Sequence, residues 1–459
     1  MLFIHPILKE IAALFAAKDR EICLVGGAVR DMLRGKKAQD YDLATDAPPE
    51  EVTEIFQNAQ PRGKVFPTGI KHGTVTVLYR GRTMEITTYR TEAGYTDGRR
   101  PNQVCYAATI EEDLSRRDFT MNAIALRLPK GDTVDPYGGG ADLKNRLIRC
   151  VGNPRERFAE DGLRPLRAVR FAAQLSFDLD AETLAAIPSA LKTSAKVSAE
   201  RVRDEIEKII ASQKPSRAFT LMEQTGLLEL FLPELAACRG IEQKGFHRFD
   251  VLDHSLLACD CAAAKNYSQE VRIAALLHDV GKPVVRRPGE GGVWTFYQHE
   301  VQSEKITRSI LCRLRFPNAF VDTVCHLIRE HMFHYTEEWG DAAVRRFIVR
   351  VGQENLKMTY QLRMADAYAT AGSEPGPDFL LALERRVEKA IAAKAVFSLK
   401  DLAVNGNDLL AIGIKGGKTM GIILNELLET VLDDPAQNSR EALLHIAGKL
   451  HDKLENTGV

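Results

Sequence analysis

The stretch GGAVRDMLRGKKAQDYDLATD, residues 26–46, decides how the first part of the chain is read. It sets Asp40 and Asp42 on either side of Tyr41. Residues two apart share one face of a strand, so the spacing predicts two carboxylates projecting together. Carboxylates that close repel unless a cation lies between them. Hard oxygen ligands suit Mg²⁺, which takes one or two carboxylates together with substrate phosphates and water. A pair of such ions can hold a nucleoside triphosphate and activate an attacking hydroxyl. Gly26 and Gly27, without side chains, let backbone N–H groups approach a phosphate, and AVRDMLRG reads as a helix whose N-terminal end favours anions. Arg30 is placed to reach the same triphosphate. An Asp-x-Asp by itself is most often a solvated turn, but the whole string asks for more.

Outward from this stretch, residues 1–145 alternate between helix-like and strand-like segments. EICLVGG is a short apolar run, FTMNAIALRL a second strand or buried segment, and HGTVTVLYRGRTMEITTYR a hairpin broken at Arg80-Gly81-Arg82. Beyond about residue 155 the apolar spacing turns helical, as in DEIEKIIAS, RIAALLHDV and SEKITRSILCRL. The exception is a Gly/Pro-rich loop, KPVVRRPGEGGVWTF. The expected class is α+β, a mixed-sheet domain followed by helical ones. The length of 459 residues predicts three or four domains. Breaks are expected near Leu235–Gly245 and Gly372–Pro377.

Composition narrows the class. Hydrophobic and charged residues make up 45% and 27% of the chain, which describes a soluble globular protein. Lys and Arg (62) balance Asp and Glu (62), so any nucleic-acid surface must come from local clustering of charge. No apolar run reaches the roughly 18 residues of a spanning helix. The N-terminus reads as an amphipathic helix with Ile7, Leu8, Ile11, Leu14 and Phe15 on one side, and no signal peptide. Eight scattered cysteines without a CxxC predict buried thiols in a reducing, cytoplasmic setting.

In EDGLRPLRAVRF, Asp161, Arg164, Arg167 and Arg170 recur every third residue and would form one slanting strip on a helix, with Pro165 either near its start or kinking it. Arg only donates hydrogen bonds and ionised Asp only accepts them. An Arg facing the ring nitrogen and an Asp facing the amino group would suit both cytosine and adenine. Guanine and uracil put an N–H against the Arg and are rejected. An i,i+3 surface ladder of ion pairs is the plainer alternative.

Three strings, LVGGAVRDMLRGKKAQDYDLATDAPPEEV, EDLSRRDFTMNAIAL and EDGLRPLRAVRFAAQL, in this order and spacing, resemble the class II CCA-adding tRNA nucleotidyltransferases and bacterial poly(A) polymerases of the polymerase β superfamily. The resemblance covers most of the chain. It implies a nucleotidyltransferase head at 1–145, a helical neck carrying the nucleotide-template motif and an RNA-binding body at 146–240, and a helical tail at 373–459 that grips tRNA. It implies that Asp40 and Asp42 hold Mg²⁺, that Arg117 contacts nucleotide, and that Asp118 and Asn122 hold the ribose or the local backbone. Asp161 and Arg164 would act as a protein template for CTP and ATP, with Arg167 and Arg170 binding phosphate or bracing the strip. Glu85, in phase with Thr83 and Thr87, is a candidate third carboxylate. The polar segment 88–114 looks like the flexible loop with which the full enzymes switch from C to A, and GIKHGTVTV favours the CCA-adding branch.

A second centre is suggested by ALLHDVGKP, where His278 and Asp279 end an apolar helix. Adjacent His and Asp there are costly unless paired or ligated. With His254 upstream and Asp366 downstream they resemble the HD phosphohydrolase superfamily, implying an all-helical HD domain at 241–372 and a divalent metal of unspecified identity. His299 and His331 match the extra ligands of two-metal members. His326 and His334 have no assigned role. IGIKGGKT (412–419) mimics a P-loop but reads as a loop between helices. SAERVRDEIEKI (198–209) reads as a helix with ion pairs such as Arg203 with Glu207, Arg201 included in that plain reading. The function expected is CCA addition to tRNA from CTP and ATP, with no membrane or protein partner implied. Poly(A) polymerase, CC-only or A-only addition, and an HD-type phosphohydrolase acting on RNA ends are the alternatives.

Overall fold

In the computed structural model, residues 3–457 are described except 39, 71–72, 96–100, 244–247, 290–292, 377, 379 and 394–396. The chain divides into two compact units. One comprises Met1–Ala236 with Arg313–Arg315, the other Ala237–Cys312 with Phe316–Val459.

The first unit is built on a seven-stranded sheet ordered β3-β4-β5-β2-β1-β8-β9. Its strands are β1 Ile22–Val25, β2 Tyr41–Thr45, β3 Lys64–Phe66, β4 Thr74–Tyr79, β5 Arg82–Thr88, β8 Ala125–Arg127 and β9 Asp132–Val134. β1 reads ICLV and is buried throughout, as its central place demands. The β4–β5 hairpin turns at Arg80 (φ 47°) and Gly81 (φ 75°), two positive-φ residues whose twist matches the flanking strands. All neighbours run antiparallel except β2 and β5, which pair in parallel. The N-terminal helix α1 Pro6–Ala16 buries Ile7, Leu8, Ile11 and Phe15 as its spacing predicts, while Leu14, expected on the same side, is only half-buried. Phe15 meets Phe56 of a second helix, Pro49–Asn58, edge to face, and Phe56 meets Tyr79 of β4. Elsewhere, Cys23, Val25 and Ala44 pack with Ile110 and Leu114 of the helix Ile110–Ser115.

Segment 88–114 departs from expectation. Rather than a loop it holds an antiparallel ribbon, β6 Arg90–Tyr95 and β7 Pro101–Tyr106. Residues 96–100, between the strands, and Lys71 and His72 of GIKHGTVTV lie outside the described residues.

After the sheet the unit is helical. The helices Pro154–Glu160 and Arg164–Leu175 follow one another, and the second packs against Ala199–Ile210 and Ser216–Thr225. In the second unit, helices Val251–Ala264, Gln269–Leu277, Asn318–Glu330 and Leu356–Ala371 pack together. Tail helices Gly406–Ala411, Lys418–Asp433 and Arg440–Thr457 close over Leu409, Ile423, Leu427 and Leu443. Asn405 caps the first of them with Asp408 in a capping box. The P-loop-like string follows that helix, and its last two residues, Lys418 and Thr419, open the next, with no strand before it among the described residues.

Candidate active site and metal centre

The head site starts at β2. Antiparallel pairing sets Asp42 opposite Val25 of β1, and parallel pairing sets it level with Glu85 of β5. Asp40 stands one residue before the strand begins, so the two aspartates are not both strand residues as expected. They nevertheless share a pocket of about 400 Å³ lined also by Gly27, Arg30, Lys36 and Lys37. Burial and then the neighbouring Glu85 charge push the Asp42 carboxyl above its usual range. Crowding of this kind is relieved by a cation, and an all-oxygen donor set suits Mg²⁺. Gly26, at φ 70° and ψ −140°, makes the turn from β1 into the helix Gly27–Leu33, and a Cβ there would meet Arg117 Nη1 at 3.3 Å. Arg117 therefore lies against the glycine turn beside Asp42.

Arg30 lines the same pocket. It donates to both oxygens of Asp31 at 3.0 Å and to Asn122 Oδ1 at 3.2 Å, so it braces the pocket wall. Asn122 donates to Asp118 Oδ1, which also accepts the Phe119 N–H, so this pair holds local backbone. Asp118 Oδ2 pairs with Arg167 at 2.6 Å. Although burial opposes its charge, Arg167 and Asn122 hold the Asp118 carboxyl at about 2.

The nucleotide strip is not one helix face. Asp161 is the extended C-cap of the helix Pro154–Glu160, and Arg164 is the first residue of the next helix, with Pro165 second. Between them a Cβ on Gly162 would lie 2.4 Å from the Thr193 carbonyl, so only glycine fits. Arg201 grips both oxygens of Asp161, at 3.2 and 2.7 Å, which overturns the plain reading of Arg201 as one more surface cation. Arg164 is fixed by Glu160, by the Arg157 carbonyl at 2.8 Å and by the Arg116 carbonyl at 3.1 Å. Arg170 pairs with buried Glu205 at 2.5 Å and stacks 3.7 Å from the Phe171 centroid, a bracing role within the core. Arg203 lies 3.7 Å from Glu207, as its spacing predicts.

Sequence reasoning missed Arg201, Glu160 and Asp113. Asp113, fully buried, accepts from Arg116 at 2.8 Å and from Arg117 at 3.2 Å. Burial opposes its charge, yet the two guanidinium groups hold its carboxyl below the usual range. The i,i+3 and i,i+4 spacing was the available signal.

In the second unit, His278 and Asp279 follow the helix Gln269–Leu277 and are each 1% exposed. The two oxygens of Asp279 face different imidazoles. Oδ2 lies 3.3 Å from His278 Nε2 and 3.5 Å from His254 Nε2, while Oδ1 lies 3.2 Å from His299 Nε2. Asp366 Oδ1 completes the first group, 3.2 Å from His254 Nε2. His331 joins the second, with its ring 5.3 Å from that of His299. Asp279 thus bridges two ligand triads, His254–His278–Asp279 and Asp279–His299–His331, each with ligand atoms within 4.8 Å.

Three of the imidazoles are pre-set. Nδ1 donates to the carbonyl three residues back, from His278 to Ala275, His299 to Phe296 and His331 to Ile328. That bond fixes the ring orientation and makes Nε2 the atom that binds a metal, which displaces any proton it carries. Asp279 Oδ1 and His299 Nε2 are buried without a hydrogen-bond partner among the described residues. Burial alone would lower the His278 pKa, but Asp279 and Asp366 push it up to about 10. Burial and then the charge on the neighbouring His278 ring push His331 down to about 3. Asp279 stays well below the usual range despite burial, through His278 and Lys282. This donor set fits a pair of divalent ions. His326, by contrast, is tied to the Val351 carbonyl at 2.6 Å.

Comparison with known proteins places these centres in context. Residues 22–149 match the poly A polymerase head domain, 176–239 the "Probable RNA and SrmB- binding site of polymerase A", and 289–447 tRNA nucleotidyltransferase domain 2. The chain is 34% identical over 447 residues to the CCA-adding enzyme of Lactobacillus johnsonii, covering 97% of this chain and 96% of that one. It is 31% identical over 453 residues to that of Enterococcus faecalis, covering 98% and 96%. Among solved structures it resembles the Bacillus stearothermophilus CCA-adding enzyme in complex with CTP, with a TM-score of 0.73 and 29% identity over 99% of this chain and 100% of that one.

Proposed function

This chain belongs to the family of CCA-adding enzymes, and on that premise we propose that it adds the 3′-terminal CCA of tRNA from CTP and ATP without a nucleic-acid template. The observation that carries the reading is that Asp42 lies level with Glu85 in the sheet and shares with Asp40 a pocket lined by Arg30, Lys36 and Lys37. Asp40 and Asp42 hold the Mg²⁺ ions, with Glu85 as third carboxylate, and Mg²⁺ supplies charge neutralisation of the triphosphate. The terminal tRNA hydroxyl attacks the α-phosphate in line, so the protein's work is positioning and charge stabilisation. Lys36, Lys37 and Arg117 line the path of the triphosphate. Asp161 and Arg164 present an acceptor and donors to the base. A guanidinium has five donors, so the contacts to Glu160 and two carbonyls fix the Arg164 plane without exhausting it. Recognition of tRNA is by shape, since A-form grooves hide base identity. Free, mostly buried cysteines support a reducing cytoplasm as its setting. In a test, Asp42→Ala removes incorporation of CMP into tRNA lacking CCA. Retained incorporation would refute the assignment.

A second reading is favoured by the three imidazoles tied through Nδ1 to the backbone, two of which set Nε2 within 3.3 Å of Asp279. The helices around it form an HD-type domain that holds two divalent ions through His254, His278, Asp279, Asp366, His299 and His331, and it hydrolyses phosphate esters at RNA ends. Asp279→Ala should lose both bound metal and phosphatase activity. Metal content unchanged by that variant would remove the reading.

A further inference from the structure

Lys282 is a charged side chain that neither role above requires. It stands one helical turn after Asp279 and is only 7% exposed. Its Nζ donates to Asp279 Oδ2 at 2.6 Å and to Gln243 Oε1 at 2.6 Å, with the Phe296 ring centroid 5.7 Å away. Asp279 Oδ2 is the same oxygen that faces His254 and His278. The ammonium therefore occupies a lone pair that the first triad needs for a metal.

Charge bookkeeping at the centre points the same way. Asp279 and Asp366 supply two negative charges among the described residues, and Lys282 and Arg363 pair with them, Arg363 at 2.6 Å from Asp366. With neutral, metal-binding imidazoles these two pairs balance, and Glu300, 3.8 Å from His299 Nδ1, adds one further carboxylate beside the second triad. Two divalent ions then leave a net positive surplus, which makes the loaded centre a site for an anion. A lysine ammonium on a flexible four-carbon stem can change partner without moving the backbone. Its second partner, Gln243 Oε1, can keep its hydrogen bond when Asp279 is given up.

We infer that Lys282 competes with a metal ion for Asp279 Oδ2 and that, once displaced from it, its ammonium anchors a phosphoryl oxygen of the substrate. Lys282 is then a substrate-holding residue whose metal-side contact tunes metal affinity. This rests on the metal-centre reading above. A purely structural ion pair predicts a different pattern, because its loss would weaken the whole centre together.

The test uses the full chain and two probes, Co²⁺ followed by its visible absorption, which histidine ligation makes distinctive, and inorganic phosphate. Lys282→Met should bind Co²⁺ more tightly, on the order of tenfold, since a charge-assisted competitor is gone. In the same variant, phosphate should no longer raise the melting temperature of the Co²⁺-loaded protein. Lys282→Arg, which keeps the cation, should retain the phosphate effect and guards against a folding defect in the methionine variant. Weaker or unchanged Co²⁺ binding, or a phosphate effect that persists in Lys282→Met, overturns the assignment of Lys282. A wild-type protein without a histidine-type Co²⁺ spectrum removes the metal centre itself, a result distinct from failure at Lys282.

Discussion

Arg201 carries a lesson at the residue scale, because its partner is 40 positions away and no local pattern announces it. Besides Arg201, the Leu163 N–H alone among the described residues is seen to hold the Asp161 carboxylate, through Oδ1 at 3.0 Å, and a base-reading acceptor must be held still. Arg201→Ala is expected to cut discrimination between CTP and UTP on the order of tenfold, read as the ratio of incorporation efficiencies, with a smaller effect on CTP alone. Equal losses for both nucleotides would reduce Arg201 to a structural role. Asp118 gives a stability prediction. Its carboxyl titrates at about 2 in the fold against an ordinary 3.8. Because the folded value is depressed, its contribution of about 2 kcal/mol is complete above the unfolded value and fades as pH falls from 3.8 toward 2. Urea unfolding should show Asp118→Asn weaker than wild type by about that amount at pH 7 and by about half of it at pH 3. A gap that widened in acid would contradict the ion pair with Arg167. The carboxylate pair and the arginines were legible because their chemistry is written in short strings. Asp40 stands just before its predicted strand, and Asp161 left its predicted helix because Gly162 breaks the run beside the Thr193 carbonyl.

Among elements, the parallel pairing of β2 with β5 does most to build the head site. The alternation of β5 showed which face Glu85 occupies, but not which strand would lie beside it. Pairing across 43 positions is set by packing, not by local sequence. Glu85→Gln should lower CMP addition about 10- to 100-fold, and without Mg²⁺ it should not lower the melting temperature, since one repelling charge is gone. A drop in melting temperature equal to that of a core variant would make Glu85 structural. The ribbon β6–β7 stands where a loop was expected, because polar residues with turn signals conceal strands that pair only with each other. Replacing residues 92–104 with a short Gly-Ser turn should leave addition of the two cytidines and stop products at CC. Full CCA ends from that variant would show that the segment has no part in the switch to A.

Across the whole molecule, the α+β order and the helical remainder were readable from the change of period after residue 155. The six residues of the histidine–aspartate cluster were also readable as residue types, although only folding shows that Asp279 lies between two candidate triads. Each compact unit carries its own candidate chemistry. Asp40→Ala should abolish nucleotide addition and leave phosphatase activity, and Asp279→Ala should do the reverse. The central claim is tested most directly by offering the wild-type protein a tRNA transcript that lacks CCA and sequencing the 3′ ends. The reactions contain CTP alone, ATP alone, both together, or GTP and UTP. The account predicts three added nucleotides in the order C, C, A with CTP and ATP, two cytidines with CTP alone, and no extension by GTP or UTP. Long adenosine tails, or products that stop at CC with ATP present, would contradict it.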